Sequence, residues 1–375
     1  MVEWTLLSIV VGLAVIASLF SLRLGVSVAI LELLAGVVAG NYLGVSASGA
    51  DWLPFLAGIG SVVLTFLAGA EIDPAAMRRT WKASASIGLL SFLAPFLAAW
   101  AFTGLVLRWS SPASLLAGVA LSTTSVAVVY VVLVETGASS TPTGKLILSA
   151  CFITDLGTAL ALSLLFVHPN EYIFLLLAAV VAATLTVPRL FDWLFAQLKG
   201  RAGEPEVKLL FFLVIVLGAV AQLAGAPAVL PAYILGLALA SVLGRNRDVL
   251  LKLRSITLGF LTPFFFINAG LNVSVAALAS GAFLIVVLFG VKVGAKLAGV
   301  LPVTRRFVGH DSAYISLLMS TGLTFGTIAS IYGLDAGIID RFQFSVLLTV
   351  VIATAIVPTV IAQTWFRPAA EKQPT

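Results

Sequence analysis

Asp155 is the one acidic residue in the apolar run near 144–167, and it stands close to the middle of a stretch long enough to cross a bilayer. A carboxylate at that depth costs about 2.5–3.5 kcal/mol on insertion scales, so it marks a candidate functional site and needs a partner. Two basic residues qualify. Lys292 and Lys296 lie one helical turn apart, on one face, in the apolar run near 279–300. For Lys296 the alternative is to extend toward water beside Arg305.

A small cation also needs oxygen ligands, and two hydroxyl-rich stretches supply them. One is Ser122-Thr123-Thr124-Ser125; the other is Ser320-Thr321-Gly322, followed by Thr324, Gly326 and Thr327. Hydroxyls beside glycine release the helical backbone locally and expose its carbonyls, which is tolerated at membrane depth only where the backbone is buried or lines a cavity. The plain alternative is that small residues here let helices pack closely. Thr154 adds a hydroxyl next to Asp155. The chemistry on offer is coordination of a small cation by oxygen ligands near Asp155. Thr154, Thr123, Thr124 and Ser125 are the candidate ion ligands, and Lys296 and Lys292 the charge-compensating groups. Ser122, Ser320, Thr321 and Gly322 are the candidate broken-helix backbone. No cofactor is required.

The elements that must position these residues are membrane helices. Of the 375 residues 61% are hydrophobic and 10% charged, with 32 glycines, a composition foreign to soluble globular domains. The net charge of +5 resides in short loops between apolar runs, so it reports topology and not a nucleic-acid partner. The single cysteine, Cys151, rules out an internal disulfide. The first residues, Met1 to Trp4, enter an apolar run without a basic segment, as expected of a retained first span and not a cleaved leader. An enzyme is set aside because no nucleophile–base pair or metal-ligand cluster is present.

Thirteen apolar runs are predicted as transmembrane helices, near 4–20, 26–43, 54–70, 83–107, 113–134, 144–167, 171–188, 206–224, 227–243, 255–271, 279–300, 311–332 and 342–365. The seventh continues toward Leu198 as an amphipathic stretch. Of the 21 Lys and Arg, all but four fall in the odd-numbered loops and the C-terminal tail. Arg108 and Arg341 lie on the other side, and Lys292 and Lys296 lie inside a run. That bias predicts an outside N-terminus and a cytoplasmic C-terminus.

The chain also resembles itself. Residues 27–44 align with 227–244, pairing Gly36 with Gly236; residues 68–77 align with 269–278; Leu121–Thr124 aligns with Met319–Gly322. The paired runs are seven spans apart, so the copies are inverted across the membrane. Inverted repeats with two broken helices crossing near the midplane are the architecture of secondary transporters.

Several segments, taken together and in order, extend this reading. Leu31–Gly36, Phe66–Asp73, Thr124–Val126 with Leu133–Gly137, Ile147–Asp155, Ala232–Gly236, Pro263–Gly270 and Lys296–Gly299 resemble the motifs of the bacterial monovalent cation:proton antiporters of the second subgroup, the Na+(K+)/H+ exchanger type. The resemblance covers almost the whole chain. It implies a homodimer in the bacterial inner membrane, with a dimerisation domain (1–82 and 206–278), a core domain (83–167 and 279–366), a linker helix (168–205) and a cytoplasmic tail (367–375). It further implies elevator-like alternating access in which Asp155 carries either a proton or the cation. Glu32 matches a family glutamate and is a candidate for the ion pathway, the other reading being that it faces a cavity between domains.

Three departures stand out. Thr154 occupies the place of the first of two aspartates in many electrogenic members, which points to electroneutral exchange through one carboxylate. Gly40-Asn41 replaces a common glycine-proline, and Ala70 a usual leucine. The chain ends shortly after its last run, so the regulatory domain of some potassium-efflux relatives is not expected. Two other classes compete: a cation-coupled symporter of a small organic anion, which would need a basic or amide-lined pocket, and a non-transporting membrane sensor.

Overall fold

The computed structural model describes residues 2–24, 27–46, 50–136, 138, 141–166, 170–198, 204–309 and 311–366. The tail 367–375, and part of the linker stretch 168–205, lie outside the described residues. The regular structure among the described residues is helical: α1 (Val2–Leu24), α2 (Val28–Tyr42), α3 (Trp52–Ala70), α4 (Pro74–Ala101), α5 (Ser111–Ser122), α6 (Val126–Glu135), α7 (Pro142–Leu165), α8 (Ile173–Leu198), α9 (Pro205–Leu223), α10 (Val229–Arg245), α11 (Arg247–Ile256), α12 (Thr262–Leu271), α13 (Val275–Ser280), α14 (Ala282–Phe307), α15 (Ser312–Met319), α16 (Thr324–Asp335) and α17 (Arg341–Trp365). Single π-helical turns extend α4 and join α11 to α12.

Each apolar run is occupied by helix, and ten continuous segments among the described residues are long and apolar enough to cross a membrane. Three shorter apolar helices, α2, α5 and α10, accompany them. The fifth and twelfth runs are each divided, into α5 and α6 and into α15 and α16. Capping chemistry sets the starts. Asp73 accepts from the Ala75 and Ala76 amides at 2.9 and 3.0 Å, with Pro74 following, so α4 starts well before the expected residue 83. Residue 82, the expected end of one domain segment, therefore lies inside a helix. The polar stretch Arg78 to Lys82 hid this start, because apolar run length does not register a helix turn lying outside the bilayer.

The segments that align within the sequence meet where glycines seat backbone against backbone. α2 packs on α12 and α10 packs on α3. A Cβ at Gly36 would strike the Ile267 carbonyl and stand 3.0 Å from the Gly270 Cα; one at Gly236 would strike the Phe66 carbonyl and stand 2.9 Å from the Ala70 nitrogen. Gly36 and Gly236 are repeat mates, as are Gly69 and Gly270, so each crossing joins a glycine of one repeat to the glycine region of the other. Close approach of this kind requires small residues. A second set of helices, α4, α5, α7 and α14 to α17, packs mainly within itself, and Asp155 lies on its member α7.

Candidate functional site

The two divided helices end on their own hydroxyls. At the first break Ser122 Oγ donates to the Val119 carbonyl at 2.8 Å and Thr123 Oγ1 to the Ala120 carbonyl at 3.1 Å, occupying carbonyls that lose their helical partners where α5 stops. Ser125 Oγ then accepts from the Val128 amide at 3.4 Å and starts α6. The second break is built alike. Ser320 Oγ donates to the Ser316 carbonyl and Thr321 Oγ1 to the Leu318 carbonyl, both at 2.8 Å, before α16 starts at Thr324. All five of these hydroxyl residues and their neighbour Thr124 are buried.

Thr124 ties the breaks together. Its Oγ1 donates to the Met319 carbonyl, the last residue of α15, at 3.0 Å, and accepts from Lys296 Nζ at 2.8 Å. Lys296 Nζ also donates to Ser91 Oγ of α4 at 2.8 Å. The lysine is fully buried, and its amine is held by two hydroxyls, one of which donates onward to the carbonyl end of a half-helix. Snorkelling toward Arg305 does not occur.

Asp155, on α7, is buried, and its Oδ1 has no hydrogen-bond partner among the described residues. Lys296 lies close enough to interact with it electrostatically, yet the two form no ion pair; the lysine's hydrogen bonds go to Ser91 and Thr124. Lys292 reaches the other break. A Cβ at Gly322 would collide with the Lys292 amine and stand 2.9 Å from Thr123 Oγ1, so glycine at 322 makes room for the lysine head. Lys292 Nζ is buried without a hydrogen-bond partner among the described residues.

Two expected site residues stand differently. Thr154 Oγ1 donates to the Gly88 carbonyl of α4 at 3.2 Å and to the Ala150 carbonyl at 3.1 Å, which fastens α7 to α4. Glu32 is buried on α2 with Oε2 unpaired among the described residues, and α2 packs on α1 and α12, which carry no other candidate. Ser91 and Met319 were missed by sequence reasoning. Nothing in the fourth apolar run sets Ser91 apart from Ser84 and Ser86, and a backbone carbonyl has no sequence signature.

Two interrupted helices, meeting beside a buried carboxylate and two buried lysines, define a multi-span membrane protein whose polar machinery lies inside the helix bundle. The chain belongs to the sodium/hydrogen exchanger transmembrane family, whose model matches residues 9–367. The probable Na(+)/H(+) antiporter 3 of Methanocaldococcus jannaschii is 26% identical over 354 residues, 88% of each chain. The Na(+)/H(+) antiporter of Enterococcus hirae is 26% identical, covering 95% of this chain and 96% of the relative. Cation/H(+) antiporter 18 of Arabidopsis thaliana is also 26% identical, and this chain spans 42% of its length. The fold is shared with the solved sodium proton antiporter MjNhaP1 of Methanocaldococcus jannaschii, with a TM-score of 0.72, 16% identity, and coverage of 97% of this chain and 96% of that one.

Proposed function

We propose that the chain exchanges a monovalent cation, Na+ or K+, for protons across the cytoplasmic membrane, with Asp155 as the shared carrier. The observation that carries this reading is the buried Asp155 carboxylate, left with an unpaired oxygen beside the two breaks. Proton and cation compete for that oxygen, so the core crosses loaded with one or the other. Thr123, Thr124 and Ser125, with the carbonyls of the released segments, are the remaining oxygen donors near the crossing. Lys296 supplies the counter-charge when the cation is absent. Thr154 contributes by seating α7 on α4 and carries no charge, which favours one proton per cation.

In this reading the chain crosses the membrane thirteen times with the N-terminus outside. α1 to α3 and α9 to α12 form the static, dimerising half, and α4 to α7 with α14 to α17 slide as an elevator. Reconstitution tests it: dissipation of a pH gradient in proteoliposomes on addition of Na+, K+ or Li+, with and without a valinomycin clamp. Undiminished exchange by Asp155→Asn would overturn the assignment.

Symport of a small organic anion is the second reading, favoured by one feature, the unpaired Lys292 amine at the crossing. Cation-driven uptake of labelled carboxylates, in the absence of a pH response, would select it.

A further inference from the structure

Tyr233 of α10 is fully buried, and its hydroxyl donates to the Phe152 carbonyl of α7 at 2.8 Å, three residues before Asp155. Its ring meets Phe325 edge-on, with centroids 6.2 Å apart and planes at 74°. Phe325 is the second residue of α16, immediately past the second break. One side chain thus touches both the ion-carrying helix and the half-helix that follows the break. Its backbone belongs to the other group of helices: a Cβ at Gly69 of α3 would collide with the Tyr233 carbonyl, so α10 is seated tightly on α3 at this residue.

Packing alone does not require the hydroxyl. The repeat alignment that pairs Gly36 with Gly236 pairs Leu33 with Tyr233, and Leu33 fills its own fully buried position without a polar atom. Nor does Phe152 need a donor, since a carbonyl in the body of an α-helix is already bonded to the amide four residues on. The bond is an addition, made from one helix group to the other.

We propose that Tyr233 is a positioning residue that latches α7 to α10, holding the core in the conformation described here until the bond breaks as the core slides. This rests on the elevator reading of the two helix groups. The latch is present before the crossing and absent during it, so removing it speeds the crossing. A neutral hydrogen bond of ordinary net strength corresponds to about two- to tenfold in an equilibrium or a rate.

The test is Tyr233→Phe in the full chain, which keeps the ring and deletes the hydroxyl. In proteoliposomes the maximal exchange rate is expected to rise about two- to tenfold at saturating cation, with the half-saturating cation concentration for thermal stabilisation unchanged. In detergent, hydrogen–deuterium exchange of peptides covering 150–158 and 229–236 is expected to quicken by a similar factor. An unchanged rate with unchanged peptide exchange overturns the latch. A slower rate accompanied by a lower Tm also overturns it, because the hydroxyl is then merely structural. If the wild-type chain moves no cation but the two peptides still loosen in Tyr233→Phe, the transport reading fails and the contact stands as a latch between helix groups.

Discussion

Lys296 donates to Thr124 at 2.8 Å, and the same hydroxyl donates onward to the Met319 carbonyl at 3.0 Å. One lysine on α14 thereby holds the first break to the end of the half-helix that precedes the second. The amine is occupied by hydroxyls and stands near Asp155 without pairing to it, which leaves the carboxylate open to a competing ion.

Lys296→Met removes the charge while keeping the stem. Ser91 and Thr124 remain 3.4 Å apart and both still reach toward the Met319 carbonyl, so the breaks stay formed. Exchange in proteoliposomes is expected to fall at least about tenfold, equivalent to ~1.4 kcal/mol on the barrier. The unfolding free energy is expected to drop by about 1.5–3 kcal/mol, the range for hydrogen bonds to a charged group. Wild-type rate together with wild-type stability would remove Lys296 from the mechanism.

Asp155→Asn is expected to abolish exchange while leaving the helices intact, because Oδ1 has no hydrogen-bond partner among the described residues to lose. Cation binding supplies an independent readout. At a hundred times Kd, Na+ is expected to stabilise the wild type by about 2.7 kcal/mol, and that increment is expected to disappear on cation removal and in the variant. Thermal unfolding of the detergent-solubilised protein, with choline as the control salt, measures both.

The proposed competition of proton and cation at one carboxylate gives the pH dependence its sign. Lowering the pH favours the protonated site, so the apparent KM for the cation rises as pH falls, by up to about tenfold per unit for one proton at one site. With Thr154 in place of a second acid, the rate at fixed pH gradient is expected to be insensitive to an imposed membrane potential. Acceleration by one polarity of potential would show that a further proton, such as one from a lysine, moves in the cycle.

Gly36→Leu and Gly236→Leu probe the repeat-related crossings. Each side chain would be built onto a backbone carbonyl of the partner helix, Ile267 or Phe66, which cannot rotate away. Each is expected to destabilise the fold by about 1–3 kcal/mol or more. The same change at Gly12, where no atom lies within 4 Å of an added Cβ, serves as the control and leaves Tm unchanged.

The sequence by itself placed helix in each apolar run and marked where two of them break, without fixing where every helix starts. Thirteen apolar runs are legible because the bilayer requires length and hydrophobicity. The breaks are legible because Ser122 to Ser125 and Ser320 to Gly322 place competing hydroxyls where a helix needs none. Asp155 and the two lysines announce themselves by their cost.

Which lysine does what was decided only by the tertiary structure. Lys292 and Lys296 are equivalent on a helical face, but packing of α14 against α4 and α15 places one beside Ser91 and Thr124 and the other over Gly322. The use of Thr154 to bind the Gly88 carbonyl, and the reach of Tyr233 to Phe152, likewise join residues 66 and 81 positions apart. Such contacts depend on which faces of distant helices meet, and no local spacing encodes that.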